Sequence, residues 1–173
     1  MTTAPPIADW RTLAASKRAS VFTKIPKVWL LPPSQTSQYT ETAPISVLDV
    51  PRTCGILTEK ELDITENYDA TDLVKMMAER QLTSTEVVTA FCKRAAVAQQ
   101  CVSCLTEIMF DEAIARAREC DEFFKREGRV MGPLHGLPIS LKVPSPILTL
   151  PSSNLVTRYL STCTSTCFLS MHT

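Results

Sequence analysis

The chain has 173 residues, 45% of them apolar and 21% charged, and its 18 Lys plus Arg balance 18 Asp plus Glu to a net charge of zero. That length supports one domain with a core and excludes two large ones, and the charge balance leaves no electrostatic footprint for a nucleic-acid backbone. Glycine is confined to Gly55, Gly128, Gly132 and Gly136, which excludes the closely spaced glycines of a dinucleotide loop or a P-loop, and no apolar run approaches the roughly 18 residues of a membrane span.

Residues 1–34 hold one acid, Asp9, against Arg11, Lys17, Arg18, Lys24 and Lys27. Trp10, Leu13, Ala14, Lys17 and Val21 fall near helical spacing and predict a short amphipathic helix over 9–22. A cleavable organellar leader has a similar basic composition, but Trp10 and Asp9 fit one poorly, so this helix reads as an arm laid over the rest. Pro26, Pro32, Pro33, Pro44 and Pro51 then predict a mostly irregular wrap over 23–55. The first region is therefore 1–55.

Residues 56–130 carry the helical signals. Thr58 to Asn67 is short and acidic. Asp69 is a good N-cap for a helix running to about Gln81. Thr83-Ser84-Thr85-Glu86 fits a capping box, and the helix after it presents Val87, Val88, Phe91, Cys92, Ala95 and Ala96 to the core. Cys104 to Ile108 reads as a short strand. A further helix over 111–127 has Ala113, Ile114, Ala117, Cys120 and Phe124 as its stripe, acids at its start, Lys125 and Arg126 at its end, and Gly128 to stop it.

In 131–142, Gly132-Pro133 and Gly136 mark turns, and Pro138 to Leu141 reads as a buried strand with Lys142 at its end. A lysine there has two readings. It snorkels to water, or it is held dry, neutral, and able to act as a base. His135 in the turn reads as structural.

The tail, 143–173, is rich in Ser and Thr, holds no glycine or acid and sustains no period; such sequence seldom packs a core and is expected to be disordered. Seven cysteines, Cys54, Cys92, Cys101, Cys104, Cys120, Cys163 and Cys167, are an odd number without a secretory leader. They read as reduced thiols of a cytoplasmic protein. The Cys101/Cys104 pair with Cys163/Cys167 has an atypical zinc spacing, so Cys92 and Cys120 read as core fillers and no metal or cofactor is expected.

The segment Gly132-Pro133-Leu134-His135-Gly136-Leu137-Pro138-Ile139-Ser140-Leu141-Lys142 resembles the start of the catalytic core of the amidase-signature family. Asp49 to Thr58, Thr83 to Val88, Phe91 to Ala95, and Cys104 to Ile108 with Asp111-Glu112-Ala113 are similar to its acetamidase or general amidase branch. The resemblance covers about 9–142. It implies an α/β fold, here the N-terminal helices and first strands of an incomplete mixed sheet. It implies hydrolysis of a carboxylic amide to acid and ammonia by a Ser–cis-Ser–Lys triad, with Lys142 at the position of the base and a small-molecule amide as ligand. An alcohol at neutral pH requires such a base, and the developing oxyanion requires fixed donors.

The match stops at Val143, before both family serines. Ser152, Ser153, Ser161, Ser165 and Ser170 have no glycine beside them and receive no catalytic role. The chain therefore reads as an N-terminal amidase fragment without turnover. The alternatives are a non-catalytic relative that binds an intact amidase subunit, or the product of a retained intron, since Val codons share the GT of a donor site. The amidotransferase branch is less similar, a homo-oligomer is left open, and no membrane or nucleic-acid partner is expected. A transcript read across codon 142 tests the intron reading: a spliced message that still encodes Val143 onward overturns it.

Overall fold

The computed structural model describes residues 9–39, 45–142 and 167–171, with the side chains of 141–142 and 167–171 outside that description. Helices dominate: α1 (Trp10–Thr23), α2 (Pro33–Thr36), α3 (Val50–Thr53), α4 (Glu59–Glu66), α5 (Ala70–Ala78), α6 (Ser84–Val102) and α7 (Phe110–Glu127), with one 3-10 turn at Lys27–Trp29. The strands are β1 (Leu105–Glu107), β2 (Pro138–Lys142) and β3 (Cys167–Met171).

Local chemistry sets the helix ends. Thr58 with Glu61, Asp69 with Asp72, and Thr83 with Glu86 all form reciprocal capping boxes, each satisfying orphan amide donors of a first turn. Gly128, at φ 68°, ends α7. The helix predicted to reach Gln81 stops at Ala78 instead. Arg80 adopts the left-handed conformation at φ 63°. Arg80 N–H donates to Met77 O at 3.1 Å and Gln81 N–H to Met76 O at 2.9 Å, the two bonds of a Schellman stop. Glycine is the usual residue at that position, so an arginine hid it.

α6 is the spine. Val88, Cys92 and Ala96 pack with Val21, Trp29, Leu105, Phe110 and Ala117; Val87 and Ala90 pack with Ile64, Leu73 and Met77; Val97 packs with Leu31, Val50 and Leu57. Every apolar cluster of the core thus draws on one helix. Its small side chains let α7 and the N-terminal wrap approach closely. Ion pairs clamp α4 to its flank: Lys93 to Glu61 at 2.7 Å, and Arg94 to Glu66 at 2.8 Å, with Arg52 also on Glu66 at 3.0 Å. Burial acts to raise the Glu61 carboxyl, but bonds from Lys93 and Thr58 outweigh it and hold it below the usual range.

The wrap is anchored rather than loose. Gln100 Oε1 accepts from Leu31 N–H at 2.7 Å, and its amide donates to Trp29 O at 2.9 Å. The Trp29 and Phe110 rings meet at 5.7 Å, tilted by 60°. The amphipathic arm departs from expectation. Trp10 and Leu13 remain 66% and 56% exposed, and in α1 only Val21 is buried. Contact is made from the middle of the helix to its C-cap, where Lys17 and Lys24 pair with Glu107 of β1.

The sheet is mixed, in the order β1–β3–β2. β3 runs antiparallel to β1 and parallel to β2, with Pro138 opposite Cys167 and Lys142 opposite Met171. The sequence reading expects only the first strands of an incomplete sheet, and a disordered tail. The strand at 167–171 corrects both expectations over its length; 143–166 and 172–173 lie outside the described residues. The expectation that β2 is buried is also corrected: Pro138 and Ile139 are half-buried and Ser140 is exposed.

Gln100→Ala removes two hydrogen bonds that anchor the wrap and should cost about 1–3 kcal/mol. Urea unfolding should report that loss, and the Leu31 amide should exchange faster than in the parent chain.

Candidate functional site

Lys142 is the last residue of β2 and pairs in register with β3. What fixes β2 is the turn before it. His135 N–H donates to Gly132 O at 3.1 Å, and Leu137 N–H to Leu134 O at 3.2 Å, so two tight turns deliver the chain into the strand. Gly136 sits at φ 70° directly on α6: a methyl group there would come 2.6 Å from Ser84 Cβ and 2.8 Å from Met77 Sδ. Leu137 packs against the apolar cluster that holds Ile64, Met77 and Val87.

The surface that receives this turn is the N-terminus of α6, which α7 holds in place. Asp121 accepts from Ser84 N–H at 2.7 Å, Thr85 N–H at 3.0 Å and the Thr85 hydroxyl at 2.6 Å. A carboxylate is favoured there by the exposed amide donors and the positive end of the helix. The sequence places Ser84 and Thr85 in a capping box, but Asp121 and its bonds to them escape a sequence reading. The available signal was position: Asp121 lies four residues beyond Ala117, on the apolar stripe of α7, where an acid requires a partner.

Ser84, His135 and Asp121 bound a cleft of about 320 Å³ with Met77, Leu82 and Phe124. The trio resembles a hydrolytic triad in composition, but its hydrogen bonds forbid that role. His135 Nδ1 accepts from Met131 N–H at 3.2 Å, and Nε2 faces Ser84 Oγ at 3.4 Å. The proton is thereby assigned to Nε2, which donates to Ser84 and cannot take its proton. Both Asp121 oxygens serve α6 rather than the imidazole, and Ser84 is 1% exposed. The arrangement is a joint between three elements, in accord with a structural His135. Burial holds its imidazole below the usual histidine range; Asp121 opposes this and Arg116 adds to it.

Among the described residues, the buried thiols are not activated. Cys92 and Cys120 are buried on α6 and α7, and burial, with Asp111 adding, pushes Cys92 up to about 12. Burial also raises Cys101 and Cys104, where a reactive cysteine needs the opposite shift. Among the described residues no group of three or more His, Cys, Asp or Glu is arranged to hold a metal ion; Cys163 lies outside them. No described helix is long and apolar enough to cross a membrane.

Gly136→Ala should cost at least about 2 kcal/mol, since it adds a strained left-handed residue to a steric clash. Thermal unfolding measures the cost, and Ser84→Gly in the same chain should return part of it by removing the Cβ and hydroxyl it meets.

The geometry has clear relatives. A model of the Amidase family matches residues 86–148, from the first turn of α6 past the end of β2, so the match runs beyond Val143, where the sequence reading stops it. Among similar proteins are an amidase of Gibberella moniliformis, 48% identical over 78% of this chain and 25% of its own length. An acetamidase of Emericella nidulans is 50% identical over 78% of this chain and 23% of its own. A solved fatty acid amide hydrolase superposes with a TM-score of 0.77 at 31% identity, over 94% of this chain and 31% of that one. The chain thus spans about a quarter of the length of the curated relatives it matches. The glycine turn that leads into Lys142, the mixed sheet and these matches together assign the chain to the amidase-signature family.

Proposed function

We propose that residues 56–142 are the opening part of a domain that hydrolyses carboxylic amides, with Lys142 as its base. Residues 1–55 serve as the wrap around it. The observation that carries this reading is the position of Lys142 at the end of a strand fed by a turn locked onto α6. A lysine used as a base has to sit at a fixed distance from the proton it takes, and a strand end held by packing supplies that better than a loop does. In the complete reaction a serine attacks the amide carbonyl, and its proton passes through a second serine to the neutral lysine. The lysine returns that proton to the departing nitrogen, which leaves as ammonia, and water then frees the carboxylate and restores the serine.

These 173 residues by themselves are proposed not to turn over. The relay and nucleophile of that scheme require two serines beside an oxyanion loop of close backbone donors. No glycine follows Gly136, and the serines after Lys142 stand beside none. A base without its nucleophile accelerates little. The ligand class is a small-molecule amide, and the free thiols of Cys54, Cys92, Cys101 and Cys104 support a reducing, cytoplasmic setting.

Two measurements test this. The purified chain and its Lys142→Ala variant should release no ammonia above background from acetamide or from longer and aromatic amides; release by the parent chain alone overturns the inactivity. A chimera carrying residues 9–142 in place of the corresponding segment of the Emericella nidulans acetamidase should be active, and Lys142→Ala in it should lower kcat by about 10²–10⁴-fold or more. An unchanged kcat removes Lys142 from the mechanism.

A further inference from the structure

The imidazole of His135 is buried, and its two hydrogen bonds serve no step of amide hydrolysis. One ties it to the first residue of its own segment, Met131, and the other ties it to α6 through Ser84. We propose that His135 is a positioning residue whose neutral, Nε2-protonated imidazole latches the 131–137 turn to the N-terminus of α6, keeps β2 and its terminal Lys142 in register, and releases them when Nδ1 takes up a proton. The link to catalysis rests on reading Lys142 as the base; the latch itself rests on the bonds alone.

The chemistry follows from the acceptor. Nδ1 is the sole partner drawn to Met131 N–H in this turn. A proton at Nδ1 converts that acceptor into a donor and sets N–H against N–H, so the bond is lost rather than weakened. Several charged groups face the ring. From α7, Asp121 favours the imidazolium and Arg116 opposes it. Lys125 of α7 and Arg80, just after α5, line the same cleft and add positive charge. From α6 the facing group is the uncharged Ser84 hydroxyl. The Phe124 ring lies at 5.6 Å, tilted by 59°. Asp121 makes no hydrogen bond to the ring because its oxygens are engaged with α6. It favours the charged form through space alone.

The direction in pH is set by which state binds the proton more readily. Burial lowers the folded His135 below the ordinary histidine value of 6.5. The unfolded chain then takes up the proton first as pH falls. The latch is complete above that value, and its stabilisation declines as pH drops from there through the folded value.

Nuclear magnetic resonance of the ¹⁵N-labelled full chain tests the proposal. Near pH 8, His135 should show a bare Nδ1 and a protonated Nε2, with His135→Asn separating its signals from those of His172. Amide exchange at Met131 and along 139–142, normalised to the intrinsic rate at each pH, should quicken by about tenfold or more between about pH 7.5 and 5. His135→Asn presents an Oδ1 acceptor to Met131 without titrating, so its protection should stay flat over the same range. A protonated Nδ1 near pH 8 overturns the proposal, and so does the same pH profile in both chains. Should the variant not fold, the tautomer of the parent chain decides. Failure of Lys142 as the base in the chimera leaves these resonances unchanged, so the two readings fail separately.

Discussion

A single carboxylate holds the layers of this protein together. Asp121 reaches from the middle of one helix to the open end of another and accepts three hydrogen bonds there. Bonds of that kind to a charged acceptor contribute about 1.5–3 kcal/mol apiece when they are shielded. Their greater effect is geometric. α6 supplies side chains to every apolar cluster of the core, so whatever fixes α6 fixes the core. The same helix end is also the seat of Gly136 and His135. Through it the position of α7 becomes the position of β2, and the end of β2 is where the chemistry is proposed to lie.

Much of the helical layer was legible in the sequence, because its signals are local. The Thr83–Glu86 box, the Asp69 cap and the glycine that stops α7 each rest on bonds within a few residues. The burial of Cys92 and Cys120 followed from periodicity alone. Lys142 could be singled out only through resemblance, since a lysine at a strand end has an ordinary reading as well. What stayed hidden depends on distant partners. The Schellman stop at Arg80 lacks its usual glycine. Asp121 reads as one acid among several on an acid-rich helix until α6 is set beside it. The five residues of β3 are apolar enough for a strand, but a Ser- and Thr-rich surrounding masks them, and their pairing partners lie far back in the chain.

The Ser84–His135–Asp121 joint shows why residue type alone does not define a site. All three members of a hydrolytic trio meet in a cleft, yet the direction of the hydrogen bonds reverses their roles. The acid serves a helix end, the imidazole gives rather than takes, and the hydroxyl is sealed from solvent. Roles in such a cluster are set by where each proton sits, and here one backbone amide, that of Met131, makes the assignment.

The topology also bears on the order in which the molecule assembles. β1 and β2 never touch as neighbours; the strand between them is drawn from far later in the chain. A ribosome delivers the helices of 59–127 first, and their contacts are short-ranged and quick to form. The sheet has to wait for its middle member, with two strand edges open to any other extended segment in the meantime. Cellular yield is then a contest between the arrival of five residues and capture of those edges by a neighbouring chain.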